Sequence, residues 1–127
     1  MSFGEGFGEG FDSMPGFKEQ QFNMLADRVG VSIVVVQLTQ SGTDPYGNPI
    51  FTETSVSTKG FAEQIRAREK QLMAGTLAEA DMRFYLKRGT IIAEDGYEVE
   101  YMSRRYKVVG IEYRESHITV YARRKAS

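Results

Sequence analysis

Over residues 81–120 apolar and polar side chains alternate with a period of two. Met82, Phe84 and Leu86 fall on one side of the segment Asp81–Arg88, and Arg83, Tyr85 and Lys87 on the other. That is the pattern of a strand buried on one face. Tyr97, Val99 and Tyr101 alternate with Glu98 and Glu100 in the same way. Asp95-Gly96 before them marks a tight turn, and a hairpin where strand formers flank it. A two-residue turn at Ser103-Arg104 sets Tyr101 opposite Tyr106, Glu100 opposite Lys107 and Val99 opposite Val108. Each such cross-strand pair contributes roughly 0.2–1 kcal/mol. The inward phase then shifts from Tyr106 and Val108 to Ile111 and Tyr113, which places a β-bulge at Gly110. A second turn at Glu115-Ser116 sets Tyr113 against Ile118 and Ile111 against Val120. The C-terminal third is therefore expected to be an antiparallel meander.

Upstream, Phe22, Leu25, Ala26 and Val29 recur at helical spacings and stop at Gly30. This predicts one short helix laid on the sheet by an apolar stripe. Val31–Thr39 is β-branched and apolar on both faces, as in a strand buried between sheet and helix. Gln40–Pro49 is dense in turn residues. Ile50–Thr58, rich in Thr and Ser, reads as a strand with one wet face, so the pair makes a long-looped hairpin. Phe61–Ala74 reads either as a helix, with Phe61, Ile65 and Leu72 on one face and Gly75 just past its end, or as an extended connection; the helix is the expectation. The fold expected from all this is mostly β: a small antiparallel β-barrel or sandwich of about six strands, one or two short helices and a flexible N-terminal arm.

Residues 1–16 form that arm, and residues 17–127 a single β-barrel domain. In the arm Phe3, Phe7 and Phe11 stand at every fourth position with Gly-Glu-Gly between them. So many glycines carry too large an ordering entropy to hold a helix or strand alone. The segment is either a disordered tail or an arm whose phenylalanines dock into pockets of a neighbouring subunit and order only on assembly.

Composition narrows the possible functions. The 127 residues suit one domain, and 41% apolar with 26% charged content is that of an ordinary globule. The longest aliphatic run, Ile33–Val36, falls far short of the ~20 residues that cross a membrane, so no membrane partner is expected. Met1–Glu5 lacks the basic and apolar regions of a secretory signal. Without cysteine there is no disulfide framework, thiolate metal site or thiol nucleophile, which fits assembly in a reducing host cytoplasm. A net charge of −1 and a pI near 5.9 lack the basic excess with which nucleic-acid-wrapping domains neutralise phosphate. The closing Arg123-Arg124-Lys125 is either a DNA-facing basic group or a plainly solvated end.

No catalytic constellation emerges. His117 has no second histidine or cysteine with which to hold a metal ion. There is no G-x-S-x-G elbow, and the Gly-rich residues 4–10 lack the lysine and the following helix of a phosphate loop. Asp44 and Asp95 lie in turns, where aspartate serves local hydrogen bonding. Glu98 and Glu100 share a strand face with Arg105 and Lys107 ready to neutralise them. Neither an enzyme, a metal site nor a cofactor is expected.

Three stretches resemble head–tail joining proteins of tailed bacteriophages, the head-closure (stopper) and minor head-completion proteins. The first is Asp44-Pro45-Tyr46-Gly47-Asn48-Pro49 with the Thr-rich strand and Lys59-Gly60-Phe61 after it. The second is Gly75–Asp81 leading into Met82–Leu86. The third is Asp95–Val99 with Tyr106–Gly110. The likeness spans residues 17–124 and rests on pattern and order. It implies a virion protein of the phage neck: a small barrel that joins a homo-oligomeric ring of identical copies, below the portal or adaptor ring and above the tail terminator or tail proteins. Packaged double-stranded DNA passes through the channel of such a ring, and a projecting loop helps retain it. Here the projecting-loop candidates are Asp44, Pro45, Tyr46, Gly47 and Asn48, which are equally readable as an ordinary hairpin loop. The inter-subunit arm candidates Phe3, Phe7 and Phe11 have no counterpart in that pattern. Two other readings stand beside this one. One is a tail terminator of the same joint. The other is an OB-like single-stranded nucleic-acid-binding module, built on Arg83, Tyr85 and Lys87 with Tyr121 and Arg123.

Overall fold

Six antiparallel strands close on themselves in this protein. The structure, a computed structural model, describes residues 17–73 and 75–125. The chain runs through α1 (Phe17–Val29), β1 (Val31–Thr43), β2 (Pro49–Gln64), α2 (Ala67–Leu72), a 3-10 turn (Gly75–Glu79), β3 (Met82–Leu86), β4 (Tyr97–Tyr101), β5 (Arg104–Tyr113) and β6 (Ile118–Arg124). The strands pair in the order β1-β2-β3-β6-β5-β4, and β4 returns to β1 through Val34–Gln37. The expected barrel is present.

Its interior is built by the period-two residues. Ile33, Val35, Phe84, Leu86, Val99, Tyr106, Val108, Ile118, Val120 and Ala122 form one buried cluster. Phe84 is fully buried at its heart, with edge-on contacts to Tyr101 (5.8 Å) and Tyr106 (5.6 Å), a preferred geometry for aromatic pairs. A second cluster lies on the outside of the barrel, where Ile65, Ala80 and Tyr121 pack with Met73, Leu77 and Val109. There residues 65–80 cross the wall of β5 and β6.

The C-terminal meander keeps the expected pattern with one change of register. The β5–β6 pairs Tyr113↔Ile118 and Ile111↔Val120 form as expected, and the ladder shifts between Val108 and Gly110. The β4–β5 turn, however, falls on Met102-Ser103 and not on Ser103-Arg104. Both residues take positive φ (52° and 64°), as in the type I′ turn that matches the twist of the flanking strands. Tyr101 therefore pairs with Arg104, Glu100 with Arg105 and Val99 with Tyr106. A slip of two keeps every side chain on its expected face, so the core is placed correctly even by the wrong register.

Other expectations are corrected. Gly96 has the positive φ (79°) of a turn glycine, but residues 87–96 form a crossing loop and Asp95-Gly96 joins no hairpin. Phe61–Ala74 is not one helix: Phe61 ends in β2, Ile65 is buried, and only Ala67–Leu72 is helical, with Leu72 exposed. β1 runs to Thr43, and only Ile33, Val35 and Val36 along it are buried. On α1 the stripe does not bury as a whole. Ala26 is fully buried, while Met24, Leu25 and Val29 are more than half exposed. The reason is how close the helix lies. A Cβ on Gly30 would meet the carbonyls of Ala26 and Gly60, so only the smallest residue of the stripe fits against β2. Phe22 reaches sideways instead, stacking on His117 (5.0 Å) and meeting Phe61 edge-on (5.7 Å).

β2 is one strand with two partners. Val31↔Gly60 is the first of its β1 pairs, and Phe61↔Tyr85 the first of its β3 pairs. A Cβ on Gly60 would meet the Tyr85 carbonyl and crowd Leu86 and Ile33. We therefore expect Gly60→Ala to lower stability by about 1–3 kcal/mol, the usual effect of overpacking. Gly42→Ala, at a position with nothing within 4 Å of the added carbon, should stay within about 0.5 kcal/mol of the parent. Urea denaturation of the two variants beside the parent checks both.

Candidate assembly surfaces

The longest feature of the molecule is a hairpin whose outer part is mostly polar and exposed. From Leu38 and Glu53 outward, β1 and β2 pair only with each other, and their sequences alternate Thr, Ser, Gln and Glu with few apolar residues. Leu38, Ile50 and Phe51 are its large apolar side chains, and Ile50 (46%) and Phe51 (53%) stay exposed instead of packing on the barrel, so the pair leaves it as a free ribbon. Six residues of β1 at about 3.4 Å each give a projection of roughly 20 Å. The Leu38 N–H donates to the Gly96 carbonyl (2.7 Å) at its root, and a bulge between Gln40 and Gly42 bends it.

The tip is much tighter than the long loop expected. The turn contains only residues 44–48, because the strands extend to Thr43 and from Pro49. Asp44 organises it. Its Oδ1 accepts from the Tyr46 N–H (2.9 Å) and the Asn48 N–H (2.8 Å), and Oδ2 accepts from Asn48 Nδ2 (3.4 Å). The backbone closes with Asp44 N–H to the Asn48 carbonyl (2.8 Å) and Gly47 N–H to the Asp44 carbonyl (3.0 Å). These bonds, the Asn48 backbone bond first, hold the Asp44 carboxyl below its ordinary range. Gly47 supplies a φ of 86°, a region that glycine enters without steric cost. Pro45 and Gly47 complete the loop, and Tyr46 stands 90% exposed at the apex. All five candidates Asp44–Asn48 thus lie together at the end of the ribbon, as a rigid point and not a flexible loop.

Several cations on the barrel wall are engaged by carboxylates. Arg83 contacts Glu63 (2.9 Å) and Glu69 (3.0 Å), and Lys87 pairs with Asp27. The Tyr85 hydroxyl donates to Glu63 (2.8 Å), and that of Tyr121 to Glu112 (2.8 Å). Arg123 pairs with Glu79 (3.1 Å). Arg83, Tyr85 and Tyr121 do share one small surface pocket with Arg114, His117 and Thr119. His117, the lone histidine, packs against Phe22 and Tyr85. Burial, aided by the Arg114 charge, holds its pKa below the ordinary value. Among the described residues no cluster of three or more His, Cys, Asp or Glu is arranged to hold a metal ion.

The most buried charge sits on the opposite course of strands. Glu98 on β4, 5% exposed, accepts from Arg105 Nη1 (2.8 Å) and Lys125 Nζ (2.6 Å). Arg105 also reaches Glu53 at the root of the ribbon (3.3 Å) and Glu100 (3.4 Å). Of the two expected partners of these glutamates, Arg105 makes the bonds and Lys107 does not. Lys125 takes the place of Lys107, and it could not be foreseen because it comes from beyond the last strand. At the basic end Arg123 pairs with Glu79 and Lys125 with Glu98, and the backbone N–H of Arg124 donates to Asp81 (2.8 Å). Phe3, Phe7 and Phe11 lie outside the described residues.

The chain matches no family model and no curated protein. Among solved structures it is similar to the solution structure of protein SF1141 from Shigella flexneri 2a, a structural-genomics target. The TM-score is 0.59 and the identity 14%, over 76% of this chain and 94% of that one. At that identity the likeness is one of fold.

Burial raises the pKa of Glu98, but the bonds from Lys125 and Arg105 outweigh it and hold the carboxyl below 4.5. A depressed carboxyl adds stability that is present above the unfolded pKa and is lost as pH falls through the folded one. Glu98→Gln should therefore cost about 2–3 kcal/mol at pH 7. It should also flatten the fall of stability below about pH 5. Urea midpoints measured across that range check the sign.

Proposed function

We propose that this chain is a structural part of the neck of a tailed bacteriophage. It forms a ring of identical copies between the portal or adaptor and the tail, helping to close the filled head and to join it to the tail. The observation that carries this reading is the ribbon. A two-stranded hairpin with both edges open is marginal on its own and a liability for uncontrolled pairing. A chain that keeps one roughly 20 Å long, with a tip locked by Asp44, is built to reach something beyond its own barrel. In a ring, that reach can be into the channel, where Tyr46 and its neighbours would meet packaged DNA, or onto the adjoining ring.

The paired charges support the same reading. A connector wall must let DNA pass without retaining it, and Arg83, Lys87, Arg105 and Arg123 on this wall already have carboxylates. In the resemblance over residues 17–124, the turn Asp44–Pro49 takes the same projecting role. A tail terminator of the same joint would use these features in the same way.

The single-strand-binding reading has one observation in its favour, the shared pocket of Arg83, Tyr85 and Tyr121. Those groups are bound to Glu63, Glu69 and Glu112, so phosphate would have to displace three carboxylates. Titration of a labelled single-stranded oligonucleotide at low salt separates the two. The connector reading expects no saturable binding at micromolar protein, and tight, salt-sensitive binding would reject it. Replacing residues 44–48 by Asn-Gly should leave the barrel folded while assembled heads lose packaged DNA. Unchanged DNA retention by such heads would remove the tip from the channel.

A further inference from the structure

Beside the ribbon the barrel wall has an opening that the strands themselves do not fill. Residues 51–60 of β2 pair with β1 on one side, and among the described residues no strand pairs with them on the other. Along this free edge, at Val56–Thr58, lies a cleft of about 390 Å³, lined also by Val35, Asn23 of α1, Lys87 and Ile91. Val56 and Ile91 are 62% and 78% exposed. A smaller apolar cavity of about 150 Å³ suffices to hold a benzene ring. The place therefore offers an open strand edge and an apolar seat with room for a phenyl group.

The sequence of the arm matches both halves of that offer. Written as an extended strand, residues 3–11 put Phe3, Glu5, Phe7, Glu9 and Phe11 on one face and Gly4, Gly6, Gly8 and Gly10 on the other. One face carries aromatic anchors, and the other is bare backbone. Glycine without a partner strand will not hold that conformation, but an open edge supplies the missing hydrogen bonds, as in recognition by strand addition. Reach is sufficient as well. The ten residues from Phe7 to Phe17 extend roughly 35 Å, against a radius of gyration of roughly 13 Å for a domain of this size. The arm leaves from Phe17 at the start of α1 and can cross to the next copy. A closed ring needs such a contact, in which one patch of each copy meets a different patch of its neighbour.

We propose that the N-terminal arm of a neighbouring copy enters this cleft as an added strand along the free edge of β2, with Phe7 seated between Val56 and Ile91. This rests on the reading of the chain as a ring component. The absence of cysteine from the sequence allows a direct test. Full-length chains carrying only Phe7→Cys are mixed with chains carrying only Ile91→Cys under assembly conditions and oxidised. The products are resolved without reductant, and Gly42→Cys on the ribbon replaces Ile91→Cys as the control. A mixed disulfide pair forming about tenfold faster than with the control is expected, because docking raises the effective concentration of the two thiols. A rate no higher than the control overturns the proposal. So does a Phe7→Cys/Ile91→Cys double variant that closes only within one chain, since the arm would then serve its own cleft. Native mass measurement on the same mixtures separates the two ideas. Rings without the mixed pair overturn the seat and leave the ring reading standing, whereas the mixed pair without rings supports the seat and overturns the ring.

Discussion

At Gly60 the second strand passes from β1 to β3, and the chain there has no room for a side chain. Every other feature depends on that passage. Because the Tyr85 carbonyl approaches so closely, β2 can take β3 as its partner from Phe61 onward and still keep β1 opposite up to Gly60. Gly30 lies in the same tight region, so α1 meets β2 through Ala26, the smallest residue of its stripe, with Phe22 reaching Phe61 at the side. The sheet changes partner at this point, and beyond Leu38 and Glu53 the first hairpin extends into solvent.

The closed sheet divides the labour between two kinds of surface. Inside, Phe84 and the branched residues around it supply the burial that holds six strands together. Outside, charge is fixed in local networks: Arg83 between Glu63 and Glu69, Arg105 among Glu53, Glu98 and Glu100, and Lys70 on Asp81 (2.7 Å). The Arg105 network joins β5 to β4 and to the root of the ribbon, so it orients the projection as well as neutralising the wall. A near-zero net charge thus has a structural counterpart. These cations are committed to carboxylates of the barrel's strands and of the segment that crosses its wall.

The barrel is readable in the sequence where one face of each strand is apolar. Met82–Leu86 shows the expected faces, and Ile111–Val120 comes out in its true register because alternation, turn residues and the Gly110 bulge agree. Tyr97–Val108 slips by two, since period-two patterning is blind to even shifts and Met102-Ser103 carries no Asn-Gly signature of its turn. The ribbon is underestimated for a related reason. Thr and Ser along Ile50–Thr58 suggest one wet face, whereas every residue of Pro49–Ser57 is exposed. The tip residues stand out because Asp, Pro, Gly and Asn have few other reasons to stand together. Glu98 is visible in the alternation, but its bond to Lys125 is not, since contacts between distant segments leave no mark in local spacing.

The central claim is that copies of this chain close into a ring. Native mass spectrometry of the purified full-length chain, alone and with a portal ring, measures it most directly. A discrete closed oligomer, formed alone or on the portal and stable to dilution, is the predicted result. A chain that stays monomeric at all concentrations and does not add to the portal would contradict it.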